Sequence, residues 1–144
     1  MKILFVCTGN TCRSPMAKVI LEQKLKAAGK LDAFMIDSAA YGYPTDKGAN
    51  PNAREAIKRL FGEDLLISHK AKELTPYLAE QADLILVMEA GMKKGLPNDK
   101  TWTLKEYSGG EGDIADPIGG SVNTYVKCAN EISGLLEKVL PKLG

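Results

Sequence analysis

The sequence lacks any long hydrophobic segment and carries almost no net charge. No apolar run approaches the roughly 20 residues that are needed to cross a bilayer. Met1-Lys2 leads into only about four apolar residues, fewer than the roughly 7 of a secretory signal. The formal charge of +1 gives no sign of the basic face that nucleic-acid-binding proteins present. We therefore expect neither a membrane nor a nucleic acid among its partners.

Cysteine and histidine are also scarce, with three and one in 144 residues. An odd number of cysteines, without a targeting signal, predicts reduced thiols and a cytoplasmic location. Cys7 and Cys12 have no second Cys/His pair at the spacing of zinc ligands, and Cys128 and His69 stand alone. The nucleotide-binding patterns G-x-G-x-x-G and G-K-[ST] do not occur. These absences predict a protein that uses no metal and no bound cofactor.

Two kinds of apolar pattern alternate along the chain and predict its fold. Short runs that are typical of strands lie at 2–6, 34–36, 84–88 and 101–104. Helical spacing follows these runs, with predicted helix starts at Ser14-Pro15 (Ser14 as N-cap), Pro51, Thr75-Pro76 and Ser121. The continuous apolar run at 84–88 favours a parallel sheet that is covered on both faces. We predict one domain over residues 1–144, of class α/β and doubly wound in the flavodoxin-like manner: a four-stranded parallel sheet in three layers, flanked by helices.

Two segments are rich in residues that form turns and loops. The connector from Tyr41 to Asn50 contains glycine, proline and asparagine and predicts a surface loop. Residues 105–120 contain five glycines, and this segment is longer than a simple connection requires, which favours a functional loop. Single glycines at 29 and 62 predict the ends of the first two long helices.

The run V-C-T-G-N-T-C-R-S-P, residues 6–15, carries the chemistry. Cys7 and Arg13 are separated by five residues at a strand-to-helix turn, where ligands of doubly wound folds bind. Main-chain N–H groups, the start of the helix and the forked Arg13 guanidinium suit a tetrahedral oxyanion, and the same field favours the Cys7 thiolate. Gly9 and Asn10 tolerate the left-handed conformation that a curled loop needs, and Ser14 offers a hydroxyl near the sulfur.

The run therefore predicts a loop that holds a phosphate or sulfate ion beneath a sulfur nucleophile. Its predicted binding residues are Thr8, Gly9, Asn10, Thr11, Cys12 and Arg13. The alternative interpretation is that Cys7 is a buried structural thiol.

Together with Asp116-Pro117 in the late loop, C-T-G-N-T-C-R-S-P resembles the low-molecular-weight protein tyrosine phosphatase family, over essentially the whole chain. The resemblance implies that Cys7 attacks phosphorus to form a phosphocysteine and that Arg13 binds the phosphoryl oxygens. It implies that Asp116 is first the general acid and then the general base. The alternative is that Asp116 only starts an Asp-Pro turn. Asp113 is the nearest competitor for its role, without the proline.

The resemblance also implies roles for residues around the loop. It places His69 in a hydrogen-bond network with Asn10 and Ser38, against the alternative of a purely structural histidine. It gives Ser14 the task of stabilising the Cys7 thiolate. It makes Cys12 a possible redox partner that forms a reversible disulfide with Cys7 and protects it from deeper oxidation; otherwise Cys12 only fills space in the loop.

The phosphorylated group is indicated by residues at the mouth of the loop. Members specific for tyrosine usually carry Ile or Leu at the position of Thr11, and aromatic residues just after the Asp-Pro pair, where this chain has Ile118-Gly119-Gly120. These differences resemble the bacterial protein-arginine phosphatase branch, which implies phosphoarginine in proteins as the substrate. Tyr41 and Tyr43 do not discriminate, because aromatic rings stack on guanidinium and phenyl groups alike.

Three other functions stay open at this point. A tyrosine phosphatase of the same family is the first. An arsenate reductase is the second, although that reaction needs two further cysteines and only Cys128 remains. The third is a phosphoprotein-binding module without activity, which would be expected to lose Cys7 or Asp116. We expect a monomer that acts on phosphorylated proteins.

Overall fold

The computed structural model describes residues 1–42 and 47–143, and the central element of these ranges is a parallel sheet. Its strands are β1 Lys2–Cys7, β2 Met35–Ala40, β3 Leu84–Val87 and β4 Thr101–Thr103. They lie in the order β2-β1-β3-β4, and every neighbouring pair is parallel. The predicted four-stranded parallel sheet is confirmed.

Helices cover both faces of this sheet. Within the described ranges the α-helices are α1 Arg13–Ala27, α2 Pro51–Phe61, α3 Pro76–Gln81, α4 Leu104–Tyr107 and α5 Val122–Val139. Short 3₁₀ helices lie at Leu31–Ala33, Ala90–Lys93 and Leu140–Leu143. None of the helices in the described part of the chain is both long and apolar enough to cross a membrane.

The alternation of side chains along β1 explains the layers. Ile3 and Phe5 pack into the larger apolar core with α1, α2 and α5, whereas Leu4 and Val6 pack into the smaller core on the other face, with α3. All four side chains are fully buried, as expected for a central strand whose two faces are both covered. Because β1 is sandwiched in this way, its carboxyl end holds Cys7 on a rigid base.

The predicted start of α1 is wrong by two residues. The N-cap position is Cys12, α1 begins at Arg13, and Ser14 lies inside the first turn with Pro15 behind it. The Ser14 hydroxyl contacts Cys7 and Asn10 instead of capping the helix. By contrast, Asn50 and Ser121 cap α2 and α5 through their side chains.

Two further boundaries differ from the prediction. The second strand extends to Ala40 because it pairs with β1 along its whole length, from Lys2↔Met35 to Cys7↔Ala40. The predicted loop at 105–120 begins with a helical turn, α4, which takes in Leu104 from the end of the predicted strand. Thr103 and Glu106 form a reciprocal capping box at its start, which stabilises this short helix.

Candidate active site

The loop between β1 and α1 is held in shape by Asn10. Among the described residues, Asn10 is the only non-glycine with a positive φ, at 55°. Its side-chain amide donates to Ser14 Oγ at 2.8 Å, and its Oδ1 accepts the Lys72 N–H at 3.1 Å. Gly9, which was expected to tolerate a positive φ, does not adopt one. The side-chain bonds of Asn10 stabilise the one left-handed residue that the curl requires.

The sulfur of Cys7 lies at the base of this loop, almost fully buried. It is 3.0 Å from Ser14 Oγ and accepts the Ser14 N–H at 3.4 Å. Since Ser14 Oγ already accepts a hydrogen bond from Asn10, its own proton is free to point at the sulfur. Both donors on Ser14 therefore stabilise negative charge on Cys7.

Arg13 is buried beside the loop and joins several segments. Its Nη1 donates to the Ile114 carbonyl at 2.6 Å and lies 2.7 Å from Glu89 Oε2. Its Nη2 donates to Thr8 Oγ1 at 3.3 Å and lies 3.6 Å from Asp116 Oδ2. Within the described part of the chain, its Nε is buried and has no hydrogen-bond partner. A buried donor without an acceptor is costly, so an oxyanion in the loop would stabilise this arginine.

Asp116 is the acidic residue of the late loop that faces the arginine. Its Oδ1 accepts the Ile118 N–H at 3.1 Å, in the turn that Pro117 stiffens. The other oxygen, Oδ2, is left toward Arg13 and toward solvent. Asp113, the predicted competitor, instead accepts the Ala90 N–H at 2.8 Å. The geometry therefore suits Asp116, rather than Asp113, for exchanging a proton at the loop.

The side chain of His69 contacts a main-chain atom of the loop. His69 Nε2 lies 2.7 Å from the carbonyl oxygen of Asn10. Partial burial lowers the pKa of His69, so the neutral ring with a proton on Nε2 fits this contact. Ser38 is buried on β2 at the level of Phe5. Between these described residues the structure gives no hydrogen bond from His69 to Ser38, so that part of the predicted network is not formed.

Cys12 lies under the loop in a buried contact that the sequence did not indicate. Its sulfur is 3.4 Å from the hydroxyl of Tyr125 on α5 and 3.7 Å from Thr11 Oγ1. Burial raises the pKa of Cys12, so it is a protonated thiol at neutral pH. Burial also raises the pKa of Cys128 to about 12. All three cysteines are free thiols in the structure, and the disulfide between Cys7 and Cys12 stays a prediction.

Glu89 is the second contact that sequence analysis missed. It lies two residues after the end of β3, and β3 lies next to β1 in the sheet. Carboxyl ends of parallel strands meet at one edge, so a charged residue just after β3 was a signal that Glu89 faces the loop.

The mouth of the site, beside Thr11, is bounded by residues 47–51, by the loop that contains Ile118 and by the segment at Tyr41. The Thr11 carbonyl accepts the Asn50 N–H at 2.9 Å, and a cleft of about 480 Å³ opens there between Thr11, residues 47–51 and Ile118. On another side, Tyr41 is fixed by its hydroxyl, which donates to the Lys94 carbonyl at 2.8 Å. Tyr43, the other predicted wall residue, lies outside the described residues. In the described ranges no group of three or more His, Cys, Asp or Glu side chains is placed to hold a metal ion.

Comparisons with known proteins agree on one family. Residues 2–144 match the family described as low molecular weight phosphotyrosine protein phosphatase. A curated protein-arginine-phosphatase of Bacillus subtilis is 39% identical, with 99% of this chain and 97% of that protein covered.

Solved structures are similar along the same length. A low molecular weight protein tyrosine phosphatase from T. tengcongensis is 42% identical with a TM-score of 0.91, and 99% of each chain is covered. A cysteine-to-serine variant of an arginine phosphatase, with a phosphorylated active-site serine, is 36% identical with a TM-score of 0.90. It covers 99% of this chain and 95% of its own. The activities in these names are both hydrolyses of phosphorylated protein residues.

Proposed function

We propose that this chain, which belongs to the low molecular weight phosphotyrosine protein phosphatase family, removes phosphoryl groups from proteins through a phosphocysteine on Cys7. The observation that carries the proposal is the Cys7 sulfur, buried at the base of the loop with two donors from Ser14. Such a sulfur is a nucleophile rather than an inert core thiol. The neighbouring Arg13, whose Nε has no partner among the described residues, supplies the charge that a phosphoryl group requires.

In the first step the Cys7 thiolate attacks phosphorus while main-chain N–H groups and Arg13 bind the oxygens of the transferred group. A bond forms between sulfur and phosphorus, and the bond from phosphorus to the leaving atom breaks. The departing oxygen or nitrogen takes a proton from Asp116, whose Oδ2 faces the loop. Positioning and charge stabilisation supply most of the acceleration in such a transfer, and the proton adds to it.

In the second step water replaces the sulfur. Asp116, now ionised, removes a proton from water, and the resulting oxygen attacks phosphorus as the bond from phosphorus to sulfur breaks. Ser14 donates to the leaving thiolate, 3.0 Å from its oxygen. Phosphate leaves, and Cys7 and Asp116 return to their starting states. A chemical trap tests both steps: labelled substrate quenched in acid should leave one phosphoryl group on Cys7, and none on a Cys7→Ala protein, which has no side-chain nucleophile at this position.

Phosphoarginine is the substrate that we propose. The relative from Bacillus subtilis named for this activity is similar over the whole chain. Thr11 provides a small polar side chain at the mouth, which leaves room for a branched, planar guanidinium, and Ile118 stands where aromatic residues would favour a phenyl ring. The protonated Asp116 carboxyl group can accept a hydrogen bond from a guanidinium N–H through its carbonyl oxygen, and its O–H can give its proton to the departing nitrogen.

Phosphotyrosine is the second candidate, because a structure named as a tyrosine phosphatase is 42% identical to this chain. Kinetics on matched peptides, one with phosphoarginine and one with phosphotyrosine, decide between the two. We expect a higher kcat/KM on phosphoarginine, and the reverse order would make the protein a tyrosine phosphatase. Binding of phosphate without turnover of either peptide would instead indicate a binding module.

We propose that the enzyme acts as a monomer in the cytoplasm, where thiols stay reduced. An arsenate reductase needs a relay of further cysteines. Cys128 is a buried thiol on α5 whose pKa is raised, which argues against that role.

A further inference from the structure

We propose that Asp113 is a positioning residue, whose carboxylate fastens the loop that carries Asp116 to the end of β3. This inference rests on the proposed function, in which Asp116 transfers the proton. Asp113 Oδ1 accepts the Ala90 N–H at 2.8 Å. Ala90 is the first residue of a 3₁₀ helix, so this N–H has no partner inside the helix and is suited to an ionised acceptor.

Neighbouring contacts hold the same part of the loop. The Ile114 N–H donates to the Met88 carbonyl at 2.9 Å, and the Ile114 carbonyl accepts from Arg13 Nη1 at 2.6 Å. The Ile114 side chain is almost fully buried. These contacts align the chain two residues before Asp116, at the point where the loop passes the end of β3.

The segment before this anchor has little support of its own, and in the residues just after it only Pro117 is buried. Gly109 and Gly112 precede it and Gly119 follows it, all with positive φ, and residues 109–113 are exposed. Asp116 and Ile118 are exposed as well. The position of the Asp116 carboxylate therefore depends on how firmly residues 113–114 are attached, in addition to its own turn and its contact with Arg13.

The same strand end also orients Arg13. Glu89 precedes Ala90 and lies 2.7 Å from the Arg13 guanidinium. Asp113 is bonded to Ala90, and the residue before Ala90 is Glu89, which pairs with Arg13. The loop that carries Asp116 is thus attached close to the contact that orients the phosphate-binding arginine. A fixed distance between proton donor and transferred group is what an in-line transfer needs, and small displacements cost large factors in rate.

Asp113 is the anchor that mutation can test cleanly. The other two bonds use main-chain atoms or Arg13, which belongs to the binding machinery. A positioning role predicts a loss that depends on the leaving group, because a misplaced acid matters only where a proton is needed. A general acid contributes roughly 10²- to 10⁴-fold, so partial misplacement should cost about tenfold on a poor leaving group.

The experiment compares kcat/KM for phenyl phosphate, a poor leaving group, and p-nitrophenyl phosphate, a good one. We expect Asp113→Ala to lose about tenfold on phenyl phosphate and less than about twofold on p-nitrophenyl phosphate. Asp113→Asn keeps an oxygen acceptor for Ala90 and should recover most of the loss. Glu111→Ala, which removes the same charge from the same loop, is the matched control and should behave as the wild type.

A double-mutant cycle separates positioning from general damage. In an Asp116→Asn background, Asp113→Ala should have no further effect on phenyl phosphate, because the group that it positions is already lost. Equal losses on both substrates, additive losses in the cycle, or a wild-type Asp113→Ala would each overturn the inference. If Asp116→Asn itself slowed both substrates equally, the assignment of Asp116 in the proposed function would fail instead. Thermal unfolding of each variant verifies that the exposed substitutions leave the fold intact.

Discussion

The hydroxyl oxygen of Ser14 lies 3.0 Å from the sulfur of Cys7 while it accepts a hydrogen bond from the side chain of Asn10. This arrangement leaves the serine proton free for the sulfur alone. Ser14→Ala removes that donor and leaves the Asn10 amide without its acceptor. When the phosphocysteine accumulates, the second step sets kcat. Because the thiolate is the leaving group in that step, we expect kcat to fall more than kcat/KM.

Two measurements verify the Ser14 prediction. Acid-quenched Ser14→Ala protein should hold more phosphocysteine at steady state than the wild type. Alkylation of Cys7 by iodoacetamide at neutral pH should become slower. Ser133→Ala, on α5 and away from the loop, is the control. A fall in kcat/KM with an unchanged kcat would mean that Ser14 acts on the first step only.

Glu89 should set the orientation of Arg13. Glu89→Gln keeps the shape of the side chain and removes its charge, so the buried guanidinium loses an ionised partner at 2.7 Å. A hydrogen bond to a charged group contributes about 1.5 to 3 kcal/mol, which corresponds to roughly 10- to 100-fold in kcat/KM. Inorganic phosphate should also inhibit less strongly. Glu80→Gln on α3 is the matched control, and a wild-type kcat/KM for Glu89→Gln would show that the pair is only structural.

Thr11 should govern the choice of phosphorylated group. Thr11→Ile narrows the mouth beside the cleft and adds apolar surface, so the ratio of kcat/KM on phosphoarginine over phosphotyrosine peptides should fall. One or two methylene groups in a specificity pocket change such ratios by roughly tenfold or more. Thr11→Val has nearly the size of threonine without its hydroxyl, and it separates the two causes. If neither variant moves the ratio, Thr11 does not select the substrate.

The pH dependence of stability should report on His69. Burial lowers the pKa of His69 below its ordinary value of 6.5, so the unfolded chain binds more protons than the folded one just below that pH. The contribution of His69 is therefore complete above pH 6.5 and is lost as the pH falls toward the lowered pKa. Urea unfolding of the wild type and of His69→Gln, from pH 7.5 downward, should show the difference in free energy of unfolding shrinking. A constant difference would mean that the pKa of His69 is the same in the folded and the unfolded chain, contrary to this prediction.

Much of the fold could be predicted because burial leaves a clear pattern. The runs at 3–6 and 84–88 consist of apolar residues, and both lie in the middle of the sheet with neighbours on each face. The second strand was predicted too short, because Ser38, Ala39 and Ala40 have little preference for strands. They become one by pairing with β1, a contact between distant residues that local sequence does not carry.

The site residues, too, divide into those that a local motif predicts and those that only the packing of distant elements brings together. Cys7, Arg13 and Asp116 occur in short motifs, and the structure brings Arg13 within 3.6 Å of Asp116. Serine is a residue type that often caps helices, yet the hydroxyl of Ser14 points to the sulfur of Cys7, because the helix already begins at Arg13. Glu89 and Tyr125 reach the loop from a strand end and a buried helix face. Their contacts depend on how the elements pack, and no spacing along the chain reports that.

One guanidinium serves both the anion loop and the carbonyl of Ile114. A lysine in its place would offer a single nitrogen and could reach only one of these partners at a time. Through the two nitrogens of its planar guanidinium, Arg13 in the first turn of α1 connects the loop that binds the phosphoryl group with the loop that carries Asp116. Arginine is therefore required at this position both for its positive charge and for the contacts that hold the two loops together.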